Sequence, residues 1–385
     1  MHIGFAGPIS LAPLRDRLGC EPPATYSFPY TGQLVRAWLE QGHRVTVYAV
    51  SQEVTGRWVH EAGPLTLVLV PTRSRARHYL RDFFRVEREA LSSAMRDRPA
   101  DVVSAHWTYE FALAAAQSGL PAFVTAHDAP LRCAWEEGTA FRWLRNSLAL
   151  PAVHRASALS AVSPYTARHL QRVLRAPGPV QVIPNGIEPA GLPSAPSPAP
   201  TDAPAFATVL NGWGPLKNGK AALRAFGRAR AQLPGARLLM FGDGFGPGGA
   251  AEAWSRSQGL TAGVEFIGST DHGPLLARVA AEATVLIHPS RLEACPMVLL
   301  EAMAMGVPVI AGRHSGAVPW VLGDGEAGVL VDPESREEFA SAMVTLGQDT
   351  ARRARLAAAG RDRVRRHFDL GTVAAAYTRW FETAA

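Results

Sequence analysis

Short apolar runs alternate with amphipathic stretches along nearly the whole chain. Residues 1–7, 43–50, 101–105 and 122–126 show little polar alternation, as strands buried on both faces do. Residues 157–162 and 180–184 predict two further strands of the same half. Residues 33–42 instead place apolar side chains at helical spacing and end in Gly42, a helix stop. Strands separated by helices predict a parallel, doubly wound sheet. The alternation breaks at 191–204, where prolines too numerous for a sheet read as a semi-rigid linker. It restarts at 206–210 and continues through 237–241, 264–267, 284–287 and 307–310. Two such halves joined by a Pro-rich hinge predict an α/β fold: two Rossmann-like, doubly wound parallel-sheet domains facing across a ligand cleft.

Composition narrows the class. The 385 residues suffice for two filled cores, and 47% hydrophobic against 19% charged describes a globular chain, not a disordered one. Cys20, Cys133 and Cys295 have neither disulfide nor metal spacing, which suits a reducing cytosol. The sequence shows no secretory signal and no apolar run of membrane-spanning length, so a cytoplasmic location is expected. A formal charge of +6 fits an anionic substrate, and no nucleic-acid module accompanies it. Lysine occurs only at 217 and 220; arginine replaces it everywhere else.

The most informative stretch is 284–310. Its apolar start reads as a buried strand, and His288 to Ser290 mark the exit loop. Pro296 suits the first position of a helix that Gly306 and Pro308 end. Glu293 then lies in the strand-to-helix loop, with Glu301 about one and a half turns into the helix. Amides around Ala294, Cys295 and Met297 would point at whatever occupies the loop, an anion site. Two carboxylates beside an anion site suit a phosphorylated ligand rich in hydroxyls, a nucleotide sugar. The plainer alternative is a pair of ordinary charged residues on an exposed helix face.

Lys217 sits in the glycine-rich loop 211–220, where a compact ammonium would stabilise a departing diphosphate. Lys220 reads more simply as a solvated turn lysine. In the loop 242–249, Gly244, Gly246 and Gly249 match the dinucleotide-binding spacing. The acidic residue that pattern needs at the end of the next strand is missing, because Glu265 stands near its start. No Asp-x-Asp pair, metal-spaced His/Cys cluster or G-x-S-x-G elbow appears, so no metal is expected and a hydrolase is unsupported. His106 and His127 each follow a strand, where a histidine is either functional or a hydrogen-bonded structural residue. Residues 73–98 are arginine-rich with Tyr79, Leu80, Phe83, Phe84 and Val86 interleaved. They read as a basic amphipathic helix, either in weak contact with a membrane surface or packed on the core.

The glutamates at 293 and 301, followed by Glu-Ala-Met-Ala-Met-Gly-Val-Pro-Val at 301–309, resemble the signature of retaining GT-B glycosyltransferases of the family 4 (group 1) type. The resemblance implies an acceptor domain from 1–190 plus a C-terminal helix at 368–385, a linker at 191–204 and a donor domain at 205–367. It implies catalytic roles for Glu293, Lys217 and His127. Glu301 would hold the donor ribose, and Ala294, Cys295, Pro296, Met297, Gly32, Gly212, Gly242 and Gly244 would lie against the rest of the donor. Asp128 and His106 become acceptor contacts, and the Pro-Asn-Gly run at 184–186 reads as hinge geometry. Three positions depart from the family pattern. Trp213 stands where an arginine is usual, Thr31 replaces a glycine, and Trp320 fills an acidic slot, leaving Ser315 and Gly316 as candidate phosphate donors.

The implied activity is transfer, with retention, of a hexosyl or N-acetylhexosaminyl group from a UDP- or GDP-sugar to a hydroxyl. The leaving phosphate itself takes the acceptor's proton. The partners implied are that donor and a small-molecule or glycan acceptor, a natural product of antibiotic biosynthesis or a cyclitol included. No cofactor beyond the nucleotide diphosphate sugar co-substrate is expected. The alternatives are a sugar-nucleotide epimerase of the same fold and a non-catalytic sugar-nucleotide-binding accessory protein, the latter suggested by the missing arginine. Oligomeric state is not legible.

Overall fold

The computed structural model describes residues 1–384 except Pro198 and Asp202. Those two positions of the expected linker, Ala385 at the end of the expected last helix, and the side chain of Leu80 lie outside the described residues. The chain divides into two compact units, Met1–Gly186 with Leu370–Ala385, and Ile187–Asp369.

In the first unit β1 (His2–Ala6), β2 (Arg44–Ser51), β3 (Trp58–Ala62), β4 (Leu65–Pro71), β5 (Val102–His106), β6 (Ala122–Ala126), β7 (Ala158–Ala161) and β8 (Val180–Val182) form one sheet. Its order is β3-β4-β2-β1-β5-β6-β7-β8. Only β3 runs antiparallel, paired with β4 in a hairpin that turns at Gly63, where φ is +61°. β5 and β6 are buried along their whole length, which is why they show no polar alternation. The chain's last helix, Leu370–Ala384, packs on helix Pro29–Glu40 of this unit. Trp38 lies edge-on to Tyr377 at 5.8 Å and donates its Nε1 to the Ala374 carbonyl at 3.3 Å.

Residues 73–98 form two helices rather than one, Ala76–Asp82 and Arg85–Asp97. The break falls at Phe83 and Phe84, both left-handed with φ of +52° and +60°. Such backbone costs a bulky residue about 1–2 kcal/mol. Contacts on both sides hold it. Arg73 pairs with Asp82 at 2.9 Å and Glu87 at 2.5 Å, and buried Phe84 stacks on Tyr79 at 4.6 Å.

In the second unit β9 (Ala205–Val209), β10 (Arg237–Phe241), β11 (Val264–Gly268), β12 (Val285–His288), β13 (Val309–Gly312) and β14 (Val329–Val331) form an all-parallel sheet. The order β11-β10-β9-β12-β13-β14 places β9 and β12 at its centre. Phe206, Leu238, Ile287 and Phe339 lie in its core. The Pro-rich stretch expected as a linker belongs to this unit and is tied down on it. The Ala195 amide donates to the Met305 carbonyl, and buried Arg353 donates to the carbonyls of Ala199, Leu346 and Gly347.

Candidate functional site

Parallel strands deliver their loops to one edge of a sheet, and ligands of doubly wound folds bind outside that carboxyl edge. In the second unit β12 ends at His288, and the loop after it carries Glu293. Glu293 Oε1 accepts from Lys217 Nζ at 2.8 Å and from His288 Nε2 at 3.1 Å. Burial alone would raise the Glu293 carboxyl. The Lys217 ammonium and the His288 hydrogen bond outweigh it and hold the group well below the usual carboxylate range. Because a carboxylate only accepts, His288 carries its proton on Nε2, and its Nδ1 is buried without a hydrogen-bond partner among the described residues.

The loop's shape is set from the next strand. After β13, Ser315 donates its hydroxyl to the Ser290 carbonyl at 2.5 Å, and the Ala317 amide donates to the Glu293 carbonyl at 2.8 Å. A Cβ on Gly316, where φ is +64°, would lie 2.3 Å from the Glu293 carbonyl oxygen. Ser315 is therefore not available to a phosphate. The segment after β13 is a clamp on the Glu293 loop.

Helix Met297–Met305 begins one residue later than expected, so Pro296 is its N-cap and not its first turn. The amides of Ala294 and Met297 donate to no other group among the described residues, while Cys295 is buried. This leaves the helix's positive end open toward an anion. Glu301, on the same helix, accepts at 2.7 Å from Nε2 of His272, whose protonation its carboxylate favours.

The two lysines part company. Lys217 points at Glu293, whereas exposed Lys220 lies over the rings of Trp213 and Trp254 at 5.8 and 5.6 Å. Trp213 itself packs edge-on to Phe245 at 5.5 Å, so the position where the family places a cation is given to packing. The loops of Gly212 and Gly242 are joined by a bond from the Gly212 amide to the Asp243 carbonyl. A Cβ on Gly242 would meet the Leu210 carbonyl at 1.8 Å, and one on Gly244 would press on Trp213 at 3.1 Å. Close approach of backbone explains Gly242, and contact with Trp213 explains Gly244, while Gly212 is suited to its positive φ of +100°.

In the first unit, His106 ends β5 and His127 follows β6. His106 Nδ1 and His127 Nε2 share a 2.7 Å hydrogen bond, and Ser104 Oγ lies 3.2 Å from His106 Nε2. Burial keeps both rings neutral, pushing His127 down to about 3. Trp107, left-handed at φ +67°, stacks on His127 at 4.3 Å, and His127 Nδ1 is buried without a hydrogen-bond partner among the described residues. Burial raises the Asp128 carboxyl. Its Oδ2 accepts from Tyr109 at 2.8 Å, and Oδ1 is enclosed without a hydrogen-bond partner among the described residues. Gly32 sits in the first turn of helix Pro29–Glu40, where a Cβ would lie 2.1 Å from the Ser10 carbonyl oxygen. Thr31 beside it donates to the Pro8 carbonyl.

The structure thus brings Lys217 and Glu293 together, and separately His106, His127 and Asp128. His288 and His272 were missed as partners of the two glutamates. For His288 the only sequence signal was its place at the end of a strand that the loop leaves; His272 comes from a helix remote in sequence.

Two family descriptions match the chain, Glycosyltransferase Family 4 over residues 29–190 and Glycosyl transferases group 1 over 204–349. Together they cover the greater part of both units, and the chain belongs to the group 1 glycosyltransferases of the GT-B fold. Among curated relatives, a glycogen synthase of Mycobacterium tuberculosis is 32% identical over 202 residues, 51% of this chain and 47% of that protein. A D-inositol 3-phosphate glycosyltransferase of Stackebrandtia nassauensis is 34% identical over 160 residues, 40% of this chain and 36% of that protein. The matched regions span about half or less of these relatives' lengths. Among solved structures, sucrose-phosphate synthase from Thermosynechococcus elongatus shares the fold at a TM-score of 0.79 and 19% identity, covering 99% of this chain and 98% of that one.

Proposed function

We propose that the protein is a retaining, metal-independent glycosyltransferase that moves a hexosyl or N-acetylhexosaminyl group from a UDP- or GDP-sugar to a hydroxyl acceptor. One observation carries the reading. A lysine and an ionised glutamate meet at 2.8 Å beside the open amino end of a helix, at the carboxyl edge of a parallel sheet. Lys217 and the amides of Ala294 and Met297 receive the donor diphosphate, and Glu293 receives hydroxyls of its sugar. Glu301 holds the ribose, and the loops of Gly32, Gly212, Gly242 and Gly244 lie against the rest of the donor. The bond from the anomeric carbon to the diphosphate breaks as the bond to the acceptor oxygen forms. The acceptor's proton passes to the leaving phosphate, so no protein nucleophile is needed. His127, neutral, contacts the donor sugar by hydrogen bonding, and Asp128 and His106 lie on the acceptor side.

The names of the relatives support sugar transfer and diverge on the acceptor, one naming glycogen and another inositol 3-phosphate. Stereochemistry and metal dependence test the reading directly. NMR of the product should show the anomeric configuration of the donor, with full rate in the presence of a chelator. Inversion, or loss of activity that magnesium or manganese restores, would overturn those two assignments.

A further inference from the structure

We infer that the first unit contains the acceptor pocket and that this pocket selects an uncharged ring polyol over its phosphorylated counterpart; the inference rests on the glycosyltransferase reading above. A cavity of about 500 Å³ opens in this unit, a size suited to a small ligand. Its wall includes Val50 and Gln52 at the end of β2, Thr72 and Ser74 beyond β4, and Glu110 beyond β5. It therefore lies at the carboxyl edge of the parallel strands, where doubly wound sheets bind ligands. Asp128 adjoins the same wall, for Arg145 lies over the Tyr109 ring at 4.8 Å and Tyr109 donates to Asp128.

The lining decides the chemistry. Half-buried Phe141 offers an apolar surface against which the C–H face of a cyclic polyol packs, with the stacked Tyr79 and Phe84 and buried Phe111 completing the apolar wall. The hydroxyls of Thr72, Ser74 and Thr139 with the Gln52 amide can bond its hydroxyls. The cations of the wall are already neutralised. Arg145 pairs with Glu110 at 2.7 Å, both side chains nearly buried, and Arg142 pairs with Glu137 at 2.6 Å. Glu87, the remaining carboxylate of the wall, is claimed by Arg73. Helix Glu110–Ser118 would attract an anion at its amino end, but its first turn carries Glu110 itself. A phosphate entering here would have to displace Glu110 from nearly buried Arg145, which is strongly unfavourable, or share the part-exposed Arg142 with Glu137 while facing the like charges of Glu110 and Glu87.

Saturation-transfer NMR on the wild-type protein, with glucose against glucose 6-phosphate and myo-inositol against inositol 3-phosphate, tests this. The expected result is binding of the uncharged member of at least one pair about tenfold or more tighter than its phosphate. That binding should be weakened in Phe141→Ala. Glu137→Gln, which releases the more exposed arginine, should narrow the preference several-fold, and Glu110→Gln should narrow it further if that variant folds. Equal or tighter binding of the phosphates, binding of neither member, binding not weakened by Phe141→Ala, or a preference untouched by Glu137→Gln would each overturn the inference. Release of nucleoside diphosphate from a nucleotide sugar, measured in parallel, separates the two readings. Release with preference for phosphates leaves the transferase intact, whereas discrimination without any release removes the transferase and with it the pocket's acceptor role, leaving only its selectivity.

Discussion

Glu293 of the second unit and His127 of the first are both enclosed near the carboxyl ends of parallel strands, yet one is held as an ion and the other as a neutral ring. Glu293 stays ionised because Lys217 and His288 converge on the same oxygen. His127 stays neutral because its ring neighbours, His106 and Trp107, supply no charge to offset burial. On the proposed reading, a site that keeps a partly buried ion with its counter-ion is prepared for a charged, leaving diphosphate. On the same reading, a site of neutral rings and a carboxyl held by one tyrosine hydroxyl is prepared for hydrogen bonding to hydroxyls. Burial alone therefore does not mark a group's role; the partner set does.

The largest test of this contrast is at the lysines. With Trp213 turned into the packing, Lys217 should carry most of the leaving-group stabilisation from its loop. Lys217→Ala should lower turnover by about 10²–10³, the usual effect of removing a preorganised charge at a developing anion. Lys220→Ala, which only lifts an ammonium from two indole faces, should stay within a few-fold. Equal, mild losses in both would assign the diphosphate to an arginine instead.

Next comes Glu301→Gln, which should weaken donor binding by about 1–3 kcal/mol through loss of a charge-assisted contact. Titration calorimetry with the nucleoside diphosphate alone reads this, and unchanged affinity would remove Glu301 from the nucleotide site. Gly316→Ala tests the clamp on the Glu293 loop. Denaturant unfolding should show a loss of about 1–2 kcal/mol, since alanine is strained at this positive φ and its Cβ meets the Glu293 carbonyl. Turnover should fall with it, and wild-type behaviour would mean that the loop does not depend on the clamp.

The last effect, small per pH unit, concerns stability in acid. His127 is lowered to about 3 in the folded chain against an ordinary 6.5, so the unfolded chain takes up protons first on acidification. Stability is fully present above about pH 6.5 and declines from there toward pH 3. His127→Gln should flatten that decline by no more than about 1.4 kcal/mol per pH unit. An unchanged slope in denaturant titrations at several pH values would show that His127 is not buried neutral.

Strands buried on both faces were legible because continuous apolar runs leave few other choices, as at β5, β6 and β12. The β3–β4 hairpin was harder to read, since Gly63-Pro64 is not one of the common two-residue turn signals, and β14 is only Val329–Val331. The break at Phe83 and Phe84 was invisible, because two phenylalanines in left-handed backbone are imposed by tertiary contacts of Arg73 and Tyr79 and not by local preference. At the site, Glu293 and Glu301 announced themselves through spacing within one strand–loop–helix unit. His288, His272, Tyr109 and Arg145 did not, because their roles depend on partners brought from elsewhere in the chain. The second unit concentrates its chemistry in one loop and helix with Lys217 added, while the first assembles its own from the ends of several strands. That difference explains why the second unit was read more fully than the first.

The most direct test of the central claim is release of nucleoside diphosphate from a panel of UDP- and GDP-sugars by the wild-type chain and by Glu293→Gln. Release should occur with at least one donor in the wild type and fall by about 10²–10³ in the variant, with nucleoside diphosphate affinity far less affected. Absence of release with every donor, or a wild-type rate in folded Glu293→Gln, would contradict it.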